Sequence, residues 1–558
     1  MPHDITTILR QHRSFGYPDP TWFIWAANQI FQGLSRIPEK GQPSLEQQAG
    51  LPIAMGMLRQ AAIFSPYDRN LFALLFQLHA VQPESTSLTS WHRWADGQVR
   101  DLGLCPHPQA VTAVESLGGE LDGMLDRLQQ VPPVPEYFLL LQELWRLGET
   151  NPLLEHIQRF MHLPGAAPAC PVLALAAWRA GAIDLARHLR NQSPPCFLIH
   201  LMEAELAWDR GDVDTAEKYW LDSLNLEPLQ PTLILKLSSA RRPPPSPALT
   251  QEARVHVAFY TFNKLNITLE TLQSLLESNI GNAGITLLNN GSTQFSPEEL
   301  AAGVDAVRQG RPVDLLHLPT NIGAPAARNW LRTLPQTCQA DYLAYLDDDV
   351  LLPRDWLARY LQDLEEWPEV VCVGPQCLNP GTPSTIQYIW RNFERFGDHS
   401  VRFTNNCPQF MDFGQYNAPR PCLSVMGCCH LFDMRKITAL NVPDFDIRFT
   451  PTQVDDLEHD MQIWKAGGQV LFNGQVRVIH RQDTGRRSQL SRAALGNIHG
   501  NHRKMEAKWS GEDLKAVDLA VRKADDAWYR KGFEHVRNLF PQEVGTIPRS
   551  YCLQGQSR

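Results

Sequence analysis

The chain has 558 residues, enough for at least two domains. Hydrophobic residues make up 43% and charged residues 20%, and 51 basic against 60 acidic side chains leave a net charge of −9. That balance argues against nucleic acid or an anionic membrane surface as the main partner. The N-terminus lacks a basic start followed by a long apolar core, so no signal peptide is expected. No apolar run approaches the ~20 residues of a membrane span, so no transmembrane segment is expected either. The eleven cysteines show no CxxC pair and no regular spacing, and the adjacent Cys428 and Cys429 suit neither a disulfide framework nor zinc. Reduced thiols in a cytoplasmic protein are the simplest expectation.

Residues 1–135 read as a helical region. Trp22, Phe23, Trp25, Ile30 and Phe31 recur on an approximate helical period, and 71–81 is a second apolar segment; both are expected to be core. Over 136–240 an internal repeat appears: Trp145 to Gly148, Trp178 to Gly181 and Trp208 to Gly211, spaced 33 and 30 residues apart. Each glycine would make the tight turn between two helices, and Leu153, Ala186 or Ala216, five residues on, would let the second helix pack closely. The stretch 204–228 resembles a tetratricopeptide-type repeat, ending in the expected proline. Such hairpins present a peptide groove or act only as a scaffold or dimer surface; the residues leave both open. A proline-rich linker, 241–252, follows and is expected to be extended.

Beyond the linker, 253–512 alternates strands and helices. Strands are expected at 254–262, 285–292, 313–319 and 342–346, with helices at 267–279 and 324–334. This order implies a parallel sheet whose ligands bind beyond the carboxyl ends of the strands. The fourth strand runs straight into Asp347, Asp348 and Asp349. Carboxylates packed there repel unless a cation sits among them, and they are hard ligands suited to Mg²⁺ or Mn²⁺; a solvated acidic loop is the plain alternative. A second acidic pair, Asp455-Asp456, opens a helical stretch ending at Gly467. A carboxylate at a helix N-terminus stays ionised and available as a base, or simply caps the helix. The strand over 475–485 carries His480, and residues 513–558 read as a helical tail.

Together these residues resemble a GT-A glycosyltransferase of the inverting family 2, over about 254–485. The resemblance implies an α/β, Rossmann-like nucleotide-diphospho-sugar transferase domain behind an all-α helical-repeat domain. It implies a nucleotide-sugar donor, with UDP favoured, and Mn²⁺ or Mg²⁺ as cofactor. Residue by residue, it places Thr261, Asn263, Asn289, Asn290, Arg328, Asp347 and Asp348 at the nucleotide-sugar. Asn289 stands where an aspartate is commoner. Asp349 and His480 would hold the metal, and Asp456 would be the general base, taking a proton from the acceptor.

Arg486 and Arg487 would close over the diphosphate, unless they are solvated surface arginines. Tyr388 and Trp390, in an aromatic- and proline-rich stretch, would line an acceptor cleft, unless they are core. The expected activity is hexosyl or N-acetylhexosaminyl transfer to a protein, peptide or glycan. Synthesis of a surface polysaccharide or glycolipid is the second reading. A helical-repeat adaptor carrying a decayed transferase domain is the third.

Overall fold

A computed structural model describes residues 5–34, 45–81, 88–101, 107–396, 400–403, 410–482 and 491–541. From Ile5 to Ser239 the described secondary structure is helical. The glycines of the internal repeat lie in turns between paired helices. Gly148 (φ 73°) separates Val134–Leu147 from Thr150–Phe160, Gly181 (φ 80°) separates Cys170–Arg179 from Ile183–Arg190, and Gly211 (φ 77°) separates Phe197–Trp208 from Val213–Leu226. These left-handed angles are ones a Cβ disfavours, which is why glycine recurs there. Leu153, Ala186 and Ala216 are each fully buried where the hairpins close. One hydrophobic core extends from Ile8 to Ala240, so the first helices and the hairpins share a single interior.

The second unit is built on a mixed sheet. The strands of this unit are β1 (Val255–Thr261), β2 (Gly284–Asn290), β3 (Asp314–Leu318), β4 (Tyr342–Leu346), β5 (Val350–Leu351), β6 (Val370–Leu378), β7 (Ile386–Tyr388), β8 (Phe393–Phe396), β9 (Ser400–Phe403), β10 (Pro419–Pro421), β11 (Cys429–Asp433) and β12 (Gln469–His480), of which β8 and β9 pair only with each other as a separate ribbon. The order β3-β2-β1-β4 is parallel; β11 joins β4 antiparallel, followed by β6, β12 and β10. All five residues of β4 are buried. Tyr342, Ala344 and Leu346 pack toward helices Leu265–Glu277 and Trp356–Glu366, while Leu343 and Tyr345 pack toward Ala324–Arg332 and Asp455–Lys465. That alternation is what a strand covered on both faces requires. It leaves only the strand's carboxyl end open to a ligand.

The helix Pro297–Val307, absent from the sequence reading, begins with a capping box: Ser296 Oγ accepts from Glu299 N–H, and the Glu299 carboxylate accepts from Ser296 N–H. The linker carries no helix or strand at its prolines and ends in a short helix, Leu249–Glu252.

The two units are joined through the segment between β7 and β10. Buried Asp412 accepts from Ser384 Oγ (2.6 Å) and Gly414 N–H (3.2 Å), and pairs with Arg477 of β12 and with Arg179 of the helical unit. Arg179 Nε also donates to the Asp412 carbonyl (2.9 Å), and Lys236 Nζ to the Gly414 carbonyl (3.0 Å). Met411 and Phe413 lie inside the helical core itself. The 29-residue helix Gly511–Leu539 straps both units: Val517 and Val521 pack under the sheet, and Phe533 and Val536 pack into the helical core.

Burial alone would raise the Asp412 carboxyl, but Arg179 and Arg477 overcome it and hold its pKa below the ordinary value. Asp412→Ala should therefore cost about 3–5 kcal/mol, as expected when one partner of a buried ion pair is removed. Denaturant melts of the full chain would read this loss. Because the native pKa is depressed, the contribution is complete above the pKa of an unfolded aspartate, about 3.9, and disappears as pH falls through the native value. The gap between wild type and variant should accordingly narrow in acid.

Candidate active site

Three loops and two strand ends meet at the carboxyl end of β4. Asp347 follows Leu346, and its N–H donates to the Cys428 carbonyl (2.9 Å), which fixes the start of the acidic tip against β11. Thr271 fixes the other end, donating to the Asp348 carbonyl and accepting from Val350 N–H, both at 3.0 Å. The tip is thus a constrained turn with three carboxylates aimed at different partners. Lys264, from the loop after β1, donates to Asp348 Oδ1 (3.0 Å) and Asp349 Oδ2 (2.8 Å). Arg328, 5% exposed, reaches Asp347 Oδ1 (3.4 Å) and pairs with the buried Asp455.

The last residue of β12, His480, places Nε2 3.2 Å from Asp349 Oδ1 and 3.8 Å from Asp347 Oδ2. These three side chains offer ligand atoms that all lie within 4.8 Å of one another. On its far side, His480 Nδ1 lies 2.6 Å from Gln387 Oε1. The Gln387 amide is oriented by its Nε2, which donates to the carbonyls of Gln482 (3.1 Å) and His480 (3.3 Å). Its oxygen must therefore face the imidazole, Nδ1 carries the hydrogen, and Nε2 is left to meet the carboxylates.

Nε2 is buried and makes no well-formed hydrogen bond despite that proximity. Burial disfavours charge on the ring, but the carboxylates outweigh it and raise His480 to about 9. Asp349, conversely, is held at about 2: burial is overcome by His480 and Lys264. A buried, poorly satisfied imidazole nitrogen facing two carboxylates fits a divalent cation.

The second acidic pair divides its work. Asp455 is buried and raised by burial, with Arg328 opposing. Asp456 lines the cleft; its Oδ2 accepts from Gly427 N–H (3.1 Å) and its Oδ1 from Leu457 N–H (2.8 Å). Each oxygen keeps a second lone pair for another proton. A Cβ on Gly427 would lie 3.0 Å from Asp456 Cβ and 3.3 Å from Arg328 Nη2, so glycine is what permits this approach. The cleft has a volume of about 390 Å³ and contains Asp347, Asp348, Asp349, Asp455 and Asp456 together with Lys264, Arg328 and Arg391. It is large enough for a small ligand and carries an excess of two negative charges.

Other expected contacts fall differently. Asn290 lines the cleft and is held by Asn321, Nδ2 to Oδ1 at 3.1 Å. Asn289 is buried, and its Oδ1 accepts from Ser292 N–H (2.9 Å); Thr261 is buried against Thr268 (2.7 Å). Asn263 Oδ1 accepts from Thr293 and Gln294 N–H, so it too shapes the turn after β2.

Tyr388 and Trp390 do not form a cleft: both are 1% exposed, and Trp390 packs on Tyr416 and Phe472. The aromatic richness that suggested sugar stacking is core packing. Arg486 and Arg487 lie outside the described residues. Lys264 and Gln387 were absent from the expected site. Lys264 directly follows Asn263, whereas Gln387 carries no local signal.

Residues 257–435 match the profile of Glycosyl transferase family 2. This segment is a family 2 glycosyltransferase domain. The chain therefore carries an all-helical unit followed by a GT-A glycosyltransferase domain. Among solved structures, "Crystal structure of GalNAc-T7 with UDP, GalNAc and Mn2+" is similar at 15% identity, covering 52% of this chain and 58% of that chain with a TM-score of 0.34, a likeness too distant to carry an argument. No curated protein matches the chain. Among the described residues no helix is long and apolar enough to cross a membrane.

Since Gln387 orients the imidazole of the glycosyltransferase domain, Gln387→Ala should weaken Mn²⁺ binding about 10–100-fold, the usual cost of losing a histidine's supporting partner. Calorimetric Mn²⁺ titration would measure this. An unchanged affinity would remove His480 from the ligand set.

Proposed function

We propose that the chain is an inverting glycosyltransferase that takes a sugar from a UDP-sugar and passes it to an acceptor, with Asp456 as general base. Asp349, His480 and Asp347 would hold Mn²⁺ or Mg²⁺. The observation that supports this most is that Asp347 and Asp349 line one cleft with Asp456 while their carboxylates also face the buried His480. Neither His480 nor Asp456 lies within the family-matched segment.

The electrostatics support the same reading. A cleft with surplus negative charge repels a diphosphate, so a donor enters only where that charge is offset. When bound, the divalent ion supplies Lewis-acid stabilisation of the departing diphosphate. Arg328 keeps Asp347 and Asp455 in place, and Lys264 does the same for Asp348 and Asp349. Asn290 and Tyr260, which also line the cleft, offer a polar group and a ring face to the nucleoside.

In transfer, the acceptor's nucleophilic oxygen or nitrogen attacks the anomeric carbon while the bond to the diphosphate breaks on the opposite side. The acceptor proton passes to Asp456, whose orientation is set by the N–H groups of Gly427 and Leu457. A protein or peptide acceptor remains the reading suggested by the likeness of 204–228 to a tetratricopeptide-type repeat.

Asp456→Asn should lower turnover by about 10²–10⁴-fold, the range for losing a general base, while UDP binding in the presence of Mn²⁺ stays near wild type. Asp349→Ala should weaken UDP binding and abolish its Mn²⁺ dependence, and turnover should fall with it. The assay is UDP release from a panel of UDP-sugars with Mn²⁺, paired with calorimetry. Wild-type protein that releases no UDP from any of them, with or without cell extract as acceptor, would refute the activity.

A further inference from the structure

The segment immediately before Asp455-Asp456 has an unusual backbone. Gln453 and Val454 adopt φ of 83° and 73° in succession. Left-handed angles are uncommon for any residue with a Cβ and a genuine outlier for a β-branched one such as valine. Val454 is also the residue from which the helix Asp455–Lys465 starts, so its backbone angle decides where the first helical turn points. Pro451, Thr452, Gln453 and Val454 all line the cleft. Strain held at a functional site persists only when its surroundings over-determine it.

The surroundings here are specific. Asn501, 2% exposed in the helix Arg492–Lys508, directs its amide nitrogen at three carbonyls of this loop: Phe449 (3.1 Å), Thr452 (2.9 Å) and Gln453 (2.9 Å). Two hydrogens serve three acceptors, so at least one is shared. The orientation of the amide is fixed from its other end, where Lys504 Nζ donates to Asn501 Oδ1 (2.9 Å) and to the Arg448 carbonyl (2.6 Å). From the opposite side, Ala324 N–H donates to the Pro451 carbonyl (2.7 Å). The loop is gripped between the two helices.

We propose that Asn501 is a positioning residue for Asp456. By pulling the carbonyls of 449–453 toward the trailing helix, it imposes the left-handed turn at 453–454 that aims the Asp456 carboxylate into the cleft and onto the Gly427 and Leu457 N–H groups. Asn501 does not line the cleft, so it acts on the reaction only through this loop. The inference rests on Asp456 being the base only for its kinetic consequence; its structural consequence is independent of that role.

The experiment compares full-length wild type, Asn501→Ala, Asn501→Ala/Val454→Gly and Asp456→Asn, by hydrogen–deuterium exchange and by UDP release from UDP-glucose, UDP-galactose, UDP-N-acetylglucosamine and UDP-N-acetylgalactosamine with Mn²⁺. In Asn501→Ala, peptides covering Gly427 and Leu457 should exchange faster while the β1–β4 strands stay protected. Turnover should fall about 100-fold, the scale of an ångström's misplacement, with calorimetric binding of UDP plus Mn²⁺ within about twofold, since donor binding precedes any use of the base.

Glycine accepts a positive φ without penalty, so adding Val454→Gly should restore both the protection and most of the rate. Unchanged exchange at Gly427 and Leu457, loosening spread over the whole sheet, or no recovery with glycine would each overturn the inference. Undiminished UDP release by Asp456→Asn would instead overturn the base assignment, leaving the exchange result to decide Asn501's structural role.

Discussion

Like charges at the end of a buried strand dominate this molecule's chemistry. Two carboxylates 4 Å apart at an effective dielectric of 20 repel by about 4 kcal/mol, and Asp347, Asp348 and Asp349 follow one another without a spacer. The fold answers with cations from three separate elements. Lys264 arrives from the loop after β1, Arg328 from the helix after β3, and His480 from the end of β12. Each also fixes a geometry: Lys264 takes one oxygen of Asp349 and leaves the other facing His480, while Arg328 joins the acidic tip to the first turn of the helix that carries Asp456. With Asp455 and Asp456 lining the same cleft, the compensation is incomplete and negative charge remains.

The helical unit bears on this site through structure rather than by direct contact. Trp145 of the first repeat and Arg179 of the second are engaged by the chain's own segments on either side of β7: Trp145 Nε1 donates to the Ser384 carbonyl (3.3 Å) and its ring meets Phe410 edge-on, and Arg179 holds Asp412. The third hairpin follows suit through Glu205 and Lys236, the latter reaching the Gly414 carbonyl. That face of the hairpins is therefore a scaffold surface within the chain. Asp412 in turn grips Arg477, three residues before His480 on the same strand. The interface between the two units and the imidazole thus share β12.

Sequence reading located the strands that end at the cleft because each is a short apolar run stopped by a polar turn, a pattern that burial on both faces enforces. Motif position named Asp349, His480 and Asp456; in the structure Asp349 lines the cleft with Asp456 and faces His480. The sequence alone could not separate the residues that line the cleft from those that hold the turns. Asn289, Thr261 and Asn263 sit at strand ends like Asn290, yet Asn289 and Asn263 accept from backbone N–H groups of the turn after β2 and Thr261 is taken up by the Thr268 hydroxyl. Which way an amide faces is decided by partners some thirty residues away and is invisible to spacing. Tyr388 and Trp390 failed for a related reason. Aromatics suit a sugar cleft and a core equally, and the deciding factor here was Phe472 on β12 and Tyr416 beside the helical unit.

Gln387 and Asn501 show a further boundary on what local sequence can reveal. Neither carries charge, and Gln387 lies in no motif that spacing singled out. Each acts by filling hydrogen-bond valences whose direction the fold has already set: Gln387 uses two carbonyls to turn its oxygen toward an imidazole, and Asn501 uses a lysine to turn its nitrogen toward three carbonyls. Neutral amides suit such duty because they donate and accept from one rigid plane without adding to the charge of the cleft. A carboxylate at 387 would add negative charge behind His480 and raise the cost of removing its proton. An ammonium at 501 could donate to the same carbonyls but could not accept from Lys504, leaving two cations face to face. The acidic cleft therefore selects neutral supports where it selects charged walls, and the two choices follow from the same electrostatic excess.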